Sequence, residues 1–166
     1  MHWISRRVGL GFIAGIIMTL GGSWNTHAVP VSGLVFTDPS LQACAQIATE
    51  IQGWLDSDQV VSLSCPMLDI TSLNALQSLA NLTALDLSLN RLSDLSPLAT
   101  LSQLSFLNLS ENEIIDITPL SALDKLIVLD IGHNAVVDLM PLASLANLRV
   151  LKLEFNVLDS LAPLAG

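Results

Sequence analysis

One pattern recurs at a fixed interval through the second half of this chain, and it constrains the fold more than any other feature. Asn90, Asn112, Asn134 and Asn156 mark the interval. In front of each stands the same apolar frame: Leu82, Leu85 and Leu87; Leu104, Leu107 and Leu109; Leu126, Leu129 and Ile131; Leu148, Leu151 and Leu153. Behind each comes Pro97, Pro119, Pro141 or Pro163, always followed by leucine. A unit this short cannot bury its own apolar face, so the copies must stack and share one continuous core.

The frame also says what each copy contains. The alternation of apolar and other residues around Leu85 or Leu107 puts leucines on one side and the residues between them on the other, as a short strand requires. Stacking then builds a parallel sheet. The asparagine falls where the chain leaves the strand, and its side chain carries both a donor and an acceptor for the backbone of its own bend and of a neighbouring coil. The prolines shape a return segment too short for long helices, consistent with tight turns or 3₁₀ pieces. With 51% hydrophobic residues, four Phe, three Trp and no Tyr, the core is built from aliphatic side chains, which suits a regular stack.

Residues 1–28 read as an address: Arg6 and Arg7, an apolar run from Val8 to Leu20 broken by glycine, and small residues at Thr26 to Ala28 where a signal peptidase would cut. The pair Arg6-Arg7 loosely fits a twin-arginine signal, but ordinary export is favoured, and an uncleaved anchor is the alternative. Cleavage after Ala28 removes two of six basic residues and none of fifteen acidic ones, leaving four against fifteen and a net charge of −11. That balance argues against nucleic acid and anionic lipid, and favours a neutral or basic partner. After cleavage no membrane insertion is expected, and the destination is secreted, periplasmic or otherwise in the cell envelope.

Residues 29–59 read as an N-terminal cap. Val29 to Thr37 is an extended lead-in able to add an edge strand, and Asp38-Pro39 is a helix start, the Asp accepting from free amides and Pro lacking one where none is needed. Leu41, Cys44, Ile47, Ala48, Ile51, Trp54 and Leu55 follow at three- and four-residue spacing, which predicts a helix over about 38–55 with one buried stripe, ended by Asp56 to Asp58. Shifting the frame back by one interval exposes an imperfect first repeat from Val60, with Cys65 at a leucine position and Leu68 at the asparagine position. The array therefore covers 60–166, about five repeats with the last incomplete. Cys44 on the helix stripe and Cys65 on the first coil face each other, which predicts a disulfide; two buried free thiols are the other reading.

The frame is the leucine-rich repeat pattern. The run Asn-x-Leu/Ile-x-Asp-Leu/Ile-x-Pro-Leu, at Asn90 to Leu98, Asn112 to Leu120 and Asn134 to Leu142, resembles the 22-residue repeat of bacterial internalin-like proteins, and Phe36 to Leu41 is similar to their cap. The resemblance covers roughly 36–166 and implies an α/β solenoid with a helical cap, a parallel sheet on the concave face, short segments on the convex face, and protein binding through the concave sheet. It names no ligand. The chain departs from the pattern at Asp159-Ser160 and reaches Gly166 inside a repeat.

If the frame leucines point inward, the residues between them form rows on the concave face. One row is Ser62, Ala84, Phe106, Val128 and Val150; the next is Ser64, Asp86, Asn108, Asp130 and Lys152; the third is Pro66, Ser88, Ser110, Gly132 and Glu154. Leu89, Glu111, His133 and Phe155 extend the surface at its rim. An apolar row beside an acidic one suits a protein with a basic and apolar segment; the competing reading is good strand formers beside solvating acids. No nucleophile, base and orienting acid recur at a spacing that the fold would bring together, so catalysis and cofactors are not expected. Asp86, Asn108 and Asp130 could offer oxygens to a cation, but they are few and open. A structural, self-assembling envelope component, or a truncated relative of a longer surface protein, is the alternative function, because Leu158, Leu161 and Leu164 lie in a coil with no cover and could pair two copies end to end.

Overall fold

The computed structural model describes residues 30–165. The expected signal segment lies outside them. Five short strands, β1 (Ser62–Ser64), β2 (Ala84–Asp86), β3 (Phe106–Asn108), β4 (Val128–Asp130) and β5 (Val150–Lys152), form one sheet in sequence order. All four pairings are parallel and the register advances by the repeat length each time, Leu63 pairing with Leu85, Leu85 with Leu107, Leu107 with Leu129 and Leu129 with Leu151. The return segments carry 3₁₀ turns at Leu76–Ser78, Ser96–Thr100, Thr118–Ala122, Met140–Leu142 and Ala162–Leu164, the last four with proline in their first turn.

Between sheet and turns lies a single column of aliphatic side chains. Leu85, Leu107 and Leu129 are fully buried, as are the turn leucines Leu98 and Leu120. At β5 the column opens: Leu148, Leu151 and Leu153 are half-buried, and Leu161 is 61% exposed.

Asparagine holds the coils in register by reaching backwards. Asn90 Oδ1 accepts from the amides of Leu68 and Ile70 at 3.1 and 2.9 Å, while its Nδ2 donates to Cys65 O at 2.9 Å and to carbonyls of its own bend at Leu87 and Ser88. Asn112, Asn134 and Asn156 repeat this one coil further each time. Because the reach is toward the preceding coil, the first coil has nothing to hold, and the exposed Leu68 takes the position without loss. A second carboxylate row closes the turns: Asp94, Asp116 and Asp138 accept from the amides of Ser96, Thr118 and Met140 at 2.8–2.9 Å. Hydrogen bonds from the side chains and amides of Ser96 and Thr118 hold the Asp94 and Asp116 carboxyls below their usual value. At Asp159-Ser160, where the sequence departs from the frame, Ser160 Oγ accepts from Ala162 N at 3.0 Å and fills the same role.

The cap helix, α1 (Pro39–Gln52), is shorter than the periodicity predicts. Gly53 ends it in the left-handed region at φ 70°, its amide donating to Thr49 O, so Trp54 and Leu55 lie beyond the helix. The expected buried stripe is also narrower. Leu41 and Ala45 are buried and Cys44 and Ala48 half-buried, but Ile47 and Ile51 are 57% and 74% exposed. Only the first turns of α1 rest on the coil. The lead-in forms a one-residue antiparallel bridge from Pro30 to Asp56 and a 3₁₀ turn at Val31–Gly33, and adds no strand to the sheet.

Two links fasten α1 to the first coil. Cys44 and Cys65 are disulfide-bonded, their Cα atoms 5.9 Å apart. Asp38 caps the helix with Oδ1, accepting from Ser40 N and Leu41 N at 2.9 and 3.0 Å, and holds the coil with Oδ2, accepting from the amides of Thr71 and Ser72 and the Thr71 hydroxyl. Burial of this carboxyl opposes ionisation, but the hydrogen bonds from Thr71, Leu41 and Ser72 outweigh it and hold its pKa below the usual value. From sequence Asp38 is visible as a helix cap; its grip on Thr71 and Ser72 depends on a contact across 33 residues that no local pattern encodes.

Candidate functional site

The side of the sheet away from the core is the broad surface to which each strand presents side chains. Strand register sets its rows. Ala84, Phe106, Val128 and Val150 are successive partners, and so are Asp86, Asn108, Asp130 and Lys152. Phe106 and Val150 are 39% and 45% exposed, with Ala84 and Val128 half-buried between their neighbours. An apolar row thus runs unbroken across four strands.

In the polar row Asp86, Asn108 and Asp130 each fold back on their own strand end. Asp86 Oδ1 accepts from Ser88 N and Oγ at 3.0 and 2.8 Å, Asn108 Oδ1 from Ser110 N and Oγ at 3.1 and 2.8 Å, and Asp130 Oδ1 from Gly132 N at 3.1 Å. The other oxygen of Asp130 accepts from Lys152 Nζ at 2.8 Å. That hydrogen bond, then the charges of Asp130 and Glu154, raise the Lys152 pKa above its ordinary value. In the third row Ser88 is buried, and Gly132 leaves room for Glu154, whose side chain lies 3.1 Å from where a Cβ would stand.

The rim has a feature with no signature in residue type. Met67, Leu89, Glu111, His133 and Phe155 all sit in the left-handed region at φ 54–58°, each one residue before the asparagine position. Here the bend reverses the chain out of the strand, and unrelated side chain types accept the strained conformation. Phe155 is 73% exposed and stacks on His133 with ring centroids 4.2 Å apart. An open apolar hollow of about 340 Å³ lies between α1 and β1, walled by Ile47, Ile51, Trp54 and Leu68. Among the described residues no group of three or more His, Cys, Asp or Glu is placed to hold a metal ion. No described helix is long and apolar enough to cross a membrane.

Comparison with known proteins agrees with this geometry. A family model described as leucine-rich repeats in two copies matches residues 80–122. The fold is similar to the crystal structure of an internalin from Listeria monocytogenes, at 27% identity and a TM-score of 0.75, over 86% of this chain and 44% of that one. Internalin C2 from the same organism aligns at 22% identity and a TM-score of 0.46, over 87% of this chain and 96% of that one. This chain therefore spans less than half the length of the first of these internalins. No curated protein matches it. The protein is a leucine-rich repeat solenoid. Its repeat and cap are internalin-like.

Proposed function

We propose that this protein is an exported, non-catalytic interaction module that binds a partner protein through the open, concave face of its sheet. The observation that carries the reading is the unbroken apolar row from Ala84 through Phe106 and Val128 to Val150, beside a polar row containing Asp86 and Asp130. The leucines behind the sheet account for the core, and these side chains add nothing to it. A half-exposed phenylalanine opening a strand at the centre of the sheet is costly to solvate and valuable to a partner. Net charge and the polar row favour a partner whose docking segment is apolar and basic.

The test is Phe106→Asp. It should leave the free energy of unfolding within about 0.5 kcal/mol, because the site is half-exposed, and should abolish specific capture of a partner from an envelope extract. Unchanged capture by a folded variant would sink the reading. Light scattering of the purified chain separates it from a self-assembling envelope component, for which a stable dimer is required.

A further inference from the structure

Two carboxylates on the open face occupy the same position of the repeat in the same local structure, and among the described residues only one of them has a cation. Asp86 and Asp130 are two strands apart in one register row, each with Oδ1 committed to the backbone two residues on. On Asp130 the remaining oxygen holds the ammonium of Lys152, supplied by the next strand at the same register position. On Asp86 the same position of the next strand carries Asn108, whose own oxygen is turned to Ser110 and which has no positive charge to offer. Asp86 makes no ion pair among the described residues; Arg91, five residues on, pairs with Asp69 at 3.0 Å. Phe106 stands one strand over and two residues back from Asp86 on the same face, where the methylene stem of a long basic side chain would lie.

We propose that Asp86 is the seat for a lysine or arginine side chain of the docking partner, with Phe106 supporting its stem. The pair of Lys152 with Asp130 is the in-chain counterpart of that contact. The inference rests on the reading of the open face as a docking surface and adds a position and a chemistry to it. Lys152 also fixes direction: it fills the second carboxylate and repels another cation there, so the partner's basic group is steered to the β2 end of the row.

The experiment is an NMR titration of the labelled protein with acetyl-Leu-Lys-Leu-amide and with its uncharged norleucine counterpart. The lysine peptide should move the amide signals of Asp86, Ser88 and Phe106. The norleucine peptide should bind about threefold more weakly, the ratio expected for a half-exposed ion pair, and added salt should narrow the gap. Asp86→Asn should erase the difference between peptides. It should also fold, because Asn108 already makes the same turn with the serine two residues on. Lys152→Met vacates Asp130 and should add a second set of lysine-dependent shifts at Asp130 and Gly132.

Equal binding of the two peptides, insensitive to Asp86→Asn, overturns the seat while leaving the docking face standing. Shifts from the lysine peptide confined to other surfaces overturn it too. Docking itself is judged on a different variant, Phe106→Asp, so the two failures read separately.

Discussion

Asn112 reaches four backbone groups, accepting from Leu92 N at 2.9 Å and donating toward the carbonyls of Leu87, Leu109 and Ser110 at 3.0–3.2 Å. Truncation strands those groups where water reaches them poorly. Asn112→Ala should therefore lower stability by about 1–3 kcal/mol, seen as an earlier urea midpoint at unchanged slope; an unchanged midpoint would refute the role. Such residues were legible in the sequence, because a polar side chain recurring once per repeat behind an apolar frame has no better use than backbone bonding. The direction of the reach was not, since both adjacent coils look alike from the pattern. Nor was the left-handed residue before each asparagine. Leu, Glu, His and Phe fill it in turn, so the constraint is on the backbone and leaves no mark in composition.

At the scale of elements, the strand rows were legible and the end of α1 was not. The apolar rhythm carries through Trp54 and Leu55, and it outweighed the plainer signal, Gly53 at a helix C-terminus. The same rhythm overstates burial, because the first coil offers α1 support only near Leu41 and Ala45. That narrow seat makes Asp38 important, since one carboxylate both caps the helix and ties it to Thr71 and Ser72. Its folded pKa is depressed, so its contribution is complete above the unfolded value of about 3.9 and is lost as pH falls through the folded one. Asp38→Asn keeps a capping oxygen but loses the charge. It should cost about 1–2 kcal/mol at neutral pH. As pH drops from 4 toward the folded Asp38 value, the variant should lose less stability than the parent. Parallel acid unfolding curves for the two proteins would contradict this account.

For the whole molecule, each coil touches only its neighbours, so stability behaves as a chain of interfaces rather than one shared core. The register row Leu107, Leu129, Leu151 lets the same side chain be compared at two places in that chain. Leu129 is fully buried, with β3 on one side and β5 on the other; Leu151 has β4 on one side only and is half-buried. Leu129→Ala removes contacts to both neighbours and leaves a cavity that stacked coils cannot close without losing register, so it should cost about 3–4 kcal/mol. Leu151→Ala opens onto solvent, water fills the gap, and the loss should be about half of that. Hydrogen exchange separates the two further. Leu129→Ala should speed exchange in β3, β4 and β5 together, since the interface it weakens lies inside the stack. Leu151→Ala should speed exchange in β5 alone and leave the amides of β2 and β3 as protected as before. Equal losses from both substitutions, with exchange rising evenly over all five strands, would mean that the sheet unfolds as one unit and not coil by coil.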